Sequence, residues 1–291
     1  MSSTVSVILD HAVGVLAAAG VPTPQVDAEL LLGHVLGLNR GQVQSRAITD
    51  AALDAEQYLA VIEAIERRAA REPLQHITGR APFRALELAV GPGVFVPRPE
   101  TESVAQFAID ALLQVPSASP RAIDLGTGSG AIAIAIATEV PHAEVFAVEN
   151  SPQAFIWTRR NARELAGDNL RLIFADLADT PAELDGEALD GTIDVVVSNP
   201  PYIPLGAIPR DPEVRRHDPE AALYGGVDGL DIVRAISVRA ARLLRPGGVL
   251  ILEHGELQGD EVRALLAADG WRATATHPDL LGRDRTTTAL R

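Results

Sequence analysis

From Arg121 to the C-terminus, short aliphatic runs alternate with stretches of helical periodicity, and the pattern demands a parallel sheet flanked by helices. Strands are expected at Ala122–Leu125, Val145–Glu149, Leu172–Ala175, Ile193–Ser198 and Val249–Glu253, with a late pair near Trp271–Thr276 and Arg285–Leu290. Helices are expected near Gly130–Thr138, Pro152–Leu165, Leu230–Leu244 and Gly259–Ala268. The run Ala131–Ile136 alternates like a strand, yet its glycine-loop context and the i,i+4 pair Ile132/Ile136 favour a buried helix. The expected fold class is therefore α/β, with a Rossmann-like, mostly parallel sheet.

Upstream the texture is different. Residues 1–75 read as a small helical domain: Ile8, Ala12, Val15 and Leu16 share one helical face, as do Tyr58, Ile62, Ile65 and Ala69. Pro22 and Pro24 separate two helices, with Thr23 placed to cap the one through Val26–Leu36. Residues 76–99 are interrupted by Gly79, Pro82, Gly91, Pro92, Gly93, Pro97 and Pro99, which reads as a linker with a β-hairpin. Helical periodicity resumes from Glu100 to Leu113, so 100–291 is taken as the main domain, and 1–75 as a small helix bundle with no chemistry of its own that could dock a partner.

Composition then narrows the function classes. The most apolar stretches, such as Ala131–Ala137, are far shorter than a bilayer span, and the N-terminus lacks a basic start and an apolar run, so neither membrane nor export is expected. Without cysteine there is no disulfide framework and no thiolate metal site, which points to a cytoplasmic protein with no metal. The net charge is −14 and every basic residue is Arg. A protein that grips a phosphate backbone needs a basic surface, so the balance favours a protein or small-molecule substrate over nucleic acid.

Two motifs carry the chemistry. Asp124-Leu125-Gly126-Thr127-Gly128-Ser129-Gly130 lies between an expected strand and helix, where glycines let the backbone turn and approach a ligand. The next strand ends in Glu149, a carboxylate suited to accept from both hydroxyls of a ribose. On this loop alone NAD and S-adenosylmethionine are equally admissible, because Gly126-x-Gly128-x-x-Ala131 also satisfies a loose dinucleotide pattern.

The second motif decides between them. Val195-Val196-Val197-Ser198 runs into Asn199-Pro200-Pro201-Tyr202, at a strand's carboxyl end where open α/β sheets bind ligands. Asn199 offers a side-chain carbonyl, the prolines fix the backbone and leave carbonyls such as that of Pro200 free to turn inward, and Tyr202 offers a flat face. Such groups suit a planar NH2 whose lone pair is delocalised: accepting both N–H bonds aims the out-of-plane lone pair at a methyl donor. Alignment and water exclusion then suffice, with no metal and no strong base. His217 and His254 are read as structural or partner-facing.

On these residues the sequence resembles the class I methyltransferases, and within them the peptide chain release factor glutamine methyltransferases. The resemblance includes Glu72–Gly79, Phe95-Val96-Pro97-Arg98-Pro99-Glu100-Thr101-Glu102, Asp124–Ala131, Ser198–Tyr202, His217–Pro219 with Ala222-Leu223, Leu252–Gly255 and Gly282–Arg285; the first seventy residues match only in being helical. It implies an antiparallel last strand, an N-terminal domain that helps dock the substrate, and methylation of the glutamine amide in the Gly-Gly-Gln motif of bacterial release factors. It also implies that Gly126, Thr127, Gly128, Ser129, Gly130 and Glu149 hold S-adenosylmethionine and its product S-adenosylhomocysteine. Asp176 and Leu177 would lie by the adenine. Asn199, Pro200, Pro201 and Tyr202 would hold the glutamine, with Asn199 and Tyr202 catalytic and Asn199 also beside the cofactor. Relatives often carry Asp at position 149 and an aromatic at 177, so Leu177 would exchange stacking for plain apolar contact.

Three rivals remain. A DNA or RNA exocyclic-amine methyltransferase uses the same tetrapeptide, but the charge opposes it. The sister family acting on a glutamine of a ribosomal protein tends to carry Pro-Arg-Ser-Pro where this chain reads Pro97-Arg98-Pro99-Glu100. A non-catalytic cofactor-binding module would have no use for Asn199 and Tyr202. An NAD dehydrogenase is not among them, because no hydride-transfer acid or base stands beside the loop.

Overall fold

The alternating pattern folds into one seven-stranded sheet in a computed structural model that describes residues 4–291. Its strands are β3 (Arg121–Leu125), β4 (Glu144–Glu149), β5 (Leu170–Phe174), β8 (Ile193–Ser198), β9 (Leu244–Glu253), β10 (Arg272–Pro278) and β11 (Asp284–Leu290), in the order β10-β11-β9-β8-β3-β4-β5. The β9-β8-β3-β4-β5 block is parallel, and β11 runs antiparallel to both its neighbours. This is the Rossmann-like sheet expected, with the reversed last strand. Two short hairpins stand apart from it: β1 (Arg80–Phe83) with β2 (Leu86–Ala89), and β6 (Glu183–Leu184) with β7 (Glu187–Ala188), the latter without a sequence signal.

Strand alternation splits the core in two. Ala122, Val145, Ala147, Val195, Val197 and Ile251 face α6 (Thr101–Leu113), α7 (Ala131–Glu139) and α8 (Pro152–Leu165), while Ile123, Leu125, Phe146, Val148, Val196, Leu250 and Leu252 face α10 (Asp231–Leu243) and α11 (Gly259–Ala268). The Ala131–Ile136 run is a helix buried on all sides. The β1–β2 hairpin is no loose linker, because Ala81, Phe83 and Leu88 join the first of these cores. β9 begins five residues before the expected Val249: the chain stays extended through Pro246 and Gly247, and a register shift between Ile193 and Val195 absorbs the irregularity.

Contacts divide the chain into two units, Met1–Arg80 with Pro209–His217, and Ala81–Ile208 with Asp218–Arg291. The first holds α1 (Val5–Ala18), α2 (Pro24–Leu36), α3 (Arg40–Ile48), α4 (Ala55–Ala69), α5 (Leu74–Thr78) and α9 (Pro212–His217) around Ile8, Leu16, Leu31, Leu32, Val61 and Ile65. Asn39 and Asp54 start α3 and α4 with capping boxes closed by Gln42 and Gln57. Thr23 does not cap α2: its hydroxyl donates to the Asp27 carboxylate at 2.8 Å instead.

The expected face of α4 packs on this core, with Ile65 buried and Tyr58, Ile62 and Ala69 half-buried, and Val61, Ala64 and Arg68 are buried beside it. Arg68 Nε donates to Asp27 and its Nη1 to Glu213, each at 2.7 Å, and Arg71 grips Glu213 with two further bonds. Burial alone would raise the Glu213 pKa, but hydrogen bonds from Arg71 and Arg68 hold it far below the usual carboxylate range. A hydrophobic pattern cannot announce a buried arginine. Among the described residues no helix is long and apolar enough to cross a membrane.

Candidate active site

Strand order locates the site. From β3 the chain builds outward through β4 to β5, then returns to the other side of β3 to lay down β8 and β9, so the sheet has its switch point between β3 and β8. Crevices open at the carboxyl ends of such strands. The glycine loop follows β3, Asn199–Tyr202 follows β8, and Glu149 ends β4. The Ser198 hydroxyl, donating to the Leu125 carbonyl at 2.5 Å, pins the end of β8 to the end of β3.

Gly126 and Gly128 adopt left-handed φ values of 75° and 59°, and a Cβ at either would meet nothing within 4 Å. The backbone there faces open space, in a conformation that favours glycine. Beneath the loop, Thr127 donates to the Asp124 carboxyl at 2.6 Å, Thr158 of α8 to the Gly128 carbonyl at 2.6 Å, and Asn161 of α8 to the Ser129 carbonyl at 2.9 Å. The same Asn161 amide accepts from the backbone N–H of Ala89 at 2.7 Å and donates to its carbonyl at 2.9 Å, clamping the β1–β2 hairpin to the loop. Glu149 is buried, its two carboxylate oxygens accepting from the amides of Gly128 and Ser151 at 2.8 Å each. Each oxygen keeps a second lone pair. Burial pushes Asp124 up to about 7, although the Thr127 hydrogen bond opposes the shift.

Asn199 donates from Nδ2 to the Thr101 hydroxyl at 3.2 Å, which leaves its Oδ1 as the free acceptor end. A second segment straps the tetrapeptide in place. Ile203 donates to the Leu223 carbonyl at 2.9 Å, Gly225 to Ile203 at 3.0 Å and Leu205 to Gly226 at 2.8 Å, while the Gln258 amide donates to the Tyr202 carbonyl at 3.0 Å. Gly225 and Gly229 let that strap lie on the prolyl loop: a Cβ on Gly225 would stand 2.4 Å from the Pro201 carbonyl oxygen, and one on Gly229 2.3 Å from that of Tyr202. The Tyr202 hydroxyl lies 3.5 Å from the Glu253 carboxylate, and burial, then the Glu253 charge, raises its pKa well above the usual phenol value.

The structure thus brings Gly126–Gly130, Glu149 and Asn199–Tyr202 to one end of one sheet. Asp176 and Leu177 follow β5 at the same end. The Asp176 carboxylate is exposed, accepting from Asn150 at 2.8 Å and from the amide of Ala178 at 2.9 Å, whereas Leu177 is half-buried against the sheet. His254 is buried, its Nε2 2.9 Å from the Thr287 hydroxyl. Thr158, Asn161, Thr101, Glu253, Gly225 and Gly229 were not singled out from sequence. For Thr158 and Asn161 the available signal was a polar pair three residues apart on the buried face of α8.

Sheet order, glycine loop, acid at the end of the second strand and Asn-Pro-Pro-Tyr at the end of the fourth together define a class I methyltransferase. Two family models match, "PrmC N-terminal domain" over residues 8–79 and "Methyltransferase small domain" over residues 86–207. Release factor glutamine methyltransferases of Streptomyces coelicolor and Bifidobacterium longum are 51% and 47% identical, covering 94% and 96% of this chain and 93% and 96% of their own lengths. The chain belongs to the release factor glutamine methyltransferase family. The likeness runs through the helical domain as well, where sequence reading found only generic helix. A further relative, 39% identical over 94% of this chain and 91% of its own, is a 4-amino-L-phenylalanine/4-methylamino-L-phenylalanine methyltransferase of Streptomyces pristinaespiralis.

Proposed function

We propose that this protein transfers a methyl group from S-adenosylmethionine to the side-chain amide nitrogen of the glutamine in the Gly-Gly-Gln motif of bacterial peptide chain release factors, and that its helical unit helps dock the factor. The observation that carries the reading is Asn199-Pro200-Pro201-Tyr202 at the switch point, with the acceptor end of Asn199 left free, in a chain 51% identical to a release factor glutamine methyltransferase.

The residues present fit an adenosyl cofactor. Gly126 and Gly128 offer backbone facing open space, and Glu149 keeps lone pairs for ribose hydroxyls. Asp176 and Leu177, which follow β5 at the same end of the sheet, would meet the adenine's edge and face. When bound, S-adenosylmethionine supplies a methyl group on a sulfonium that leaves without acid assistance.

The chain's own residues do the rest. Asn199 Oδ1 and the Pro200 carbonyl accept the two N–H bonds of the glutamine amide, which fixes the nitrogen and aims its lone pair out of the amide plane. Those bonds strengthen as the nitrogen gains positive character, so they favour the transition state over the ground state. Tyr202 packs on the amide face, and the buried strands behind it exclude water.

The Streptomyces pristinaespiralis relative favours a second reading, in which the acceptor is the aryl amine of a free amino acid, also a planar NH2. Purified protein given labelled S-adenosylmethionine separates the readings. Label on release factor, absent when its Gly-Gly-Gln glutamine is replaced, is the expected result. Label only on 4-amino-L-phenylalanine, or only on nucleic acid, would overturn it.

A further inference from the structure

One helix, α8, touches both the glycine loop and the chain that leaves the β1–β2 hairpin, and the methyl-transfer chemistry above gives it no task. Its buried face carries Ala154, Thr158 and Asn161, the last two fully buried. Both polar side chains donate to carbonyls of the loop: Thr158 Oγ1 to that of Gly128 at 2.6 Å, and Asn161 Nδ2 to that of Ser129 at 2.9 Å. Thr158 Oγ1 also lies 3.1 Å from the Ala154 carbonyl, but a hydroxyl has one proton, and the loop holds the shorter contact.

These bonds decide which way the loop's peptide planes face. In a trans peptide the carbonyl of one residue and the N–H of the next point in opposite directions, and among the described residues no peptide bond is cis. With the Gly128 carbonyl drawn in against α8, the Ser129 N–H is turned away from the helix. Ser129 is only 3% exposed, and its N–H donates to no group among the described residues. A buried N–H without an acceptor is costly unless a ligand supplies one.

Asn161 has a second hold. Its Oδ1 accepts from the Ala89 N–H at 2.7 Å, and its Nδ2 donates to the Ala89 carbonyl at 2.9 Å. Both amide protons are in use, so a flipped amide would set donor against donor and its oxygen against two carbonyls. Beyond Ala89 the chain stays on α8: Trp157 Nε1 donates to the Pro92 carbonyl at 3.3 Å, and a Cβ on Gly91 would stand 2.6 Å from the Trp157 ring. We infer that Thr158 and Asn161 are positioning residues for the cofactor. They hold the glycine loop with the Ser129 N–H presented, and Asn161 makes that hold depend on the chain at Ala89 staying docked. The inference rests on the reading that this loop holds S-adenosylmethionine, and it adds two residues that the reading leaves out.

S-adenosylhomocysteine is the probe, because its binding needs no methyl acceptor. Thr158→Val keeps the shape and removes the hydroxyl; Thr158→Ser restores it. Thr158→Val is expected to raise the Kd about 10-fold, and Thr158→Ser to return it to within about 3-fold of wild type. Asn161→Leu, close in volume and without hydrogen bonds, is expected to raise it by about 10-fold or more. The backbone amide resonance of Ala89 reads the second hold: saturating S-adenosylhomocysteine should shift it in wild type and not in Asn161→Leu. An unchanged Kd in Thr158→Val, equal weakening in the Val and Ser variants, or an Ala89 shift that persists in Asn161→Leu would each overturn the inference. The Thr158 pair decides the hold on the loop even where Asn161→Leu does not fold. A wild type that binds S-adenosylhomocysteine yet leaves release factor unlabelled would count against the substrate reading alone, because the binding measurements still decide the roles of Thr158 and Asn161.

Discussion

Gly225→Ala is the sharpest probe of how the acceptor loop is held. Gly225 is not in the left-handed region, so alanine brings no backbone strain of its own there. What it brings is a methyl group 2.4 Å from the Pro201 carbonyl oxygen and 2.6 Å from that of Gly229. Real contacts of this kind stay above 3.0 Å, so the Pro201 carbonyl must retreat by about 0.6 Å. Both facing atoms are backbone, and no rotamer change relieves the overlap. The strap's bonds between Ile203 and Leu223 and between Gly225 and Ile203 pass the displacement to the prolyl loop. Overpacking of this size costs about 1–3 kcal/mol of stability, and a misplacement approaching 1 Å at a reacting centre costs up to about 100-fold in rate. The expected result is a folded protein with a Tm lower by a few degrees, an S-adenosylmethionine Kd close to wild type, and kcat reduced about 10- to 100-fold. The assay pairs calorimetric titration of the cofactor with methyl transfer to release factor. Wild-type kcat in a folded Gly225→Ala protein would show that the strap does not position the loop.

Asn199→Ala should keep cofactor binding and lose transfer by about 100-fold or more; unchanged turnover refutes its role. Glu149→Ala should weaken S-adenosylmethionine binding by at least about 10-fold, and an unaltered dissociation constant breaks that assignment. Glu213→Gln leaves Arg68 and Arg71 short of a charge partner, and should destabilise the protein by about 3 kcal/mol in urea melts at pH 7, less at low pH where the wild-type carboxylate is itself being protonated. Asp124 behaves oppositely: with its pKa raised to about 7 in the folded chain, the native state holds a proton that the unfolded state has released, so stability falls as pH climbs from about 4 to 7. Asp124→Asn should flatten that fall, and parallel stability profiles for the two proteins would contradict the burial argument.

The parts of the molecule legible in sequence are those whose signal is local. Ile193–Ser198, Pro152–Leu165 and Gly259–Ala268 emerge with the bounds read from periodicity alone, because a buried strand and an amphipathic helix write their environment into spacing. Asn199–Tyr202 was legible because the motif directly follows a buried strand, Ile193–Ser198. Thr101 was not: its contact with Asn199 joins α6 to the end of β8, a long-range pairing with no local trace. Gly225 carries no local signal either, because what sets it apart is the Pro201 carbonyl packed against it. Arg68 went unread on α4 for the same reason, since the groups that pair it in the core, Asp27 and Glu213, are remote in sequence.

The helical unit is discontinuous in sequence: Pro209–His217 belongs with Met1–Arg80, held by the carboxylate of Glu213 between Arg68 and Arg71. It is therefore no cassette that can be lifted off at a single cut. Deleting the first 80 residues would strand Glu213 without either arginine, and a transplanted N-terminal segment would arrive with Arg71 deprived of Glu213 and Arg68 left with Asp27 alone. A chimera between relatives has to exchange both pieces at once, and gene fragments trimmed at the first domain boundary would yield less soluble protein than a tally of their cores suggests.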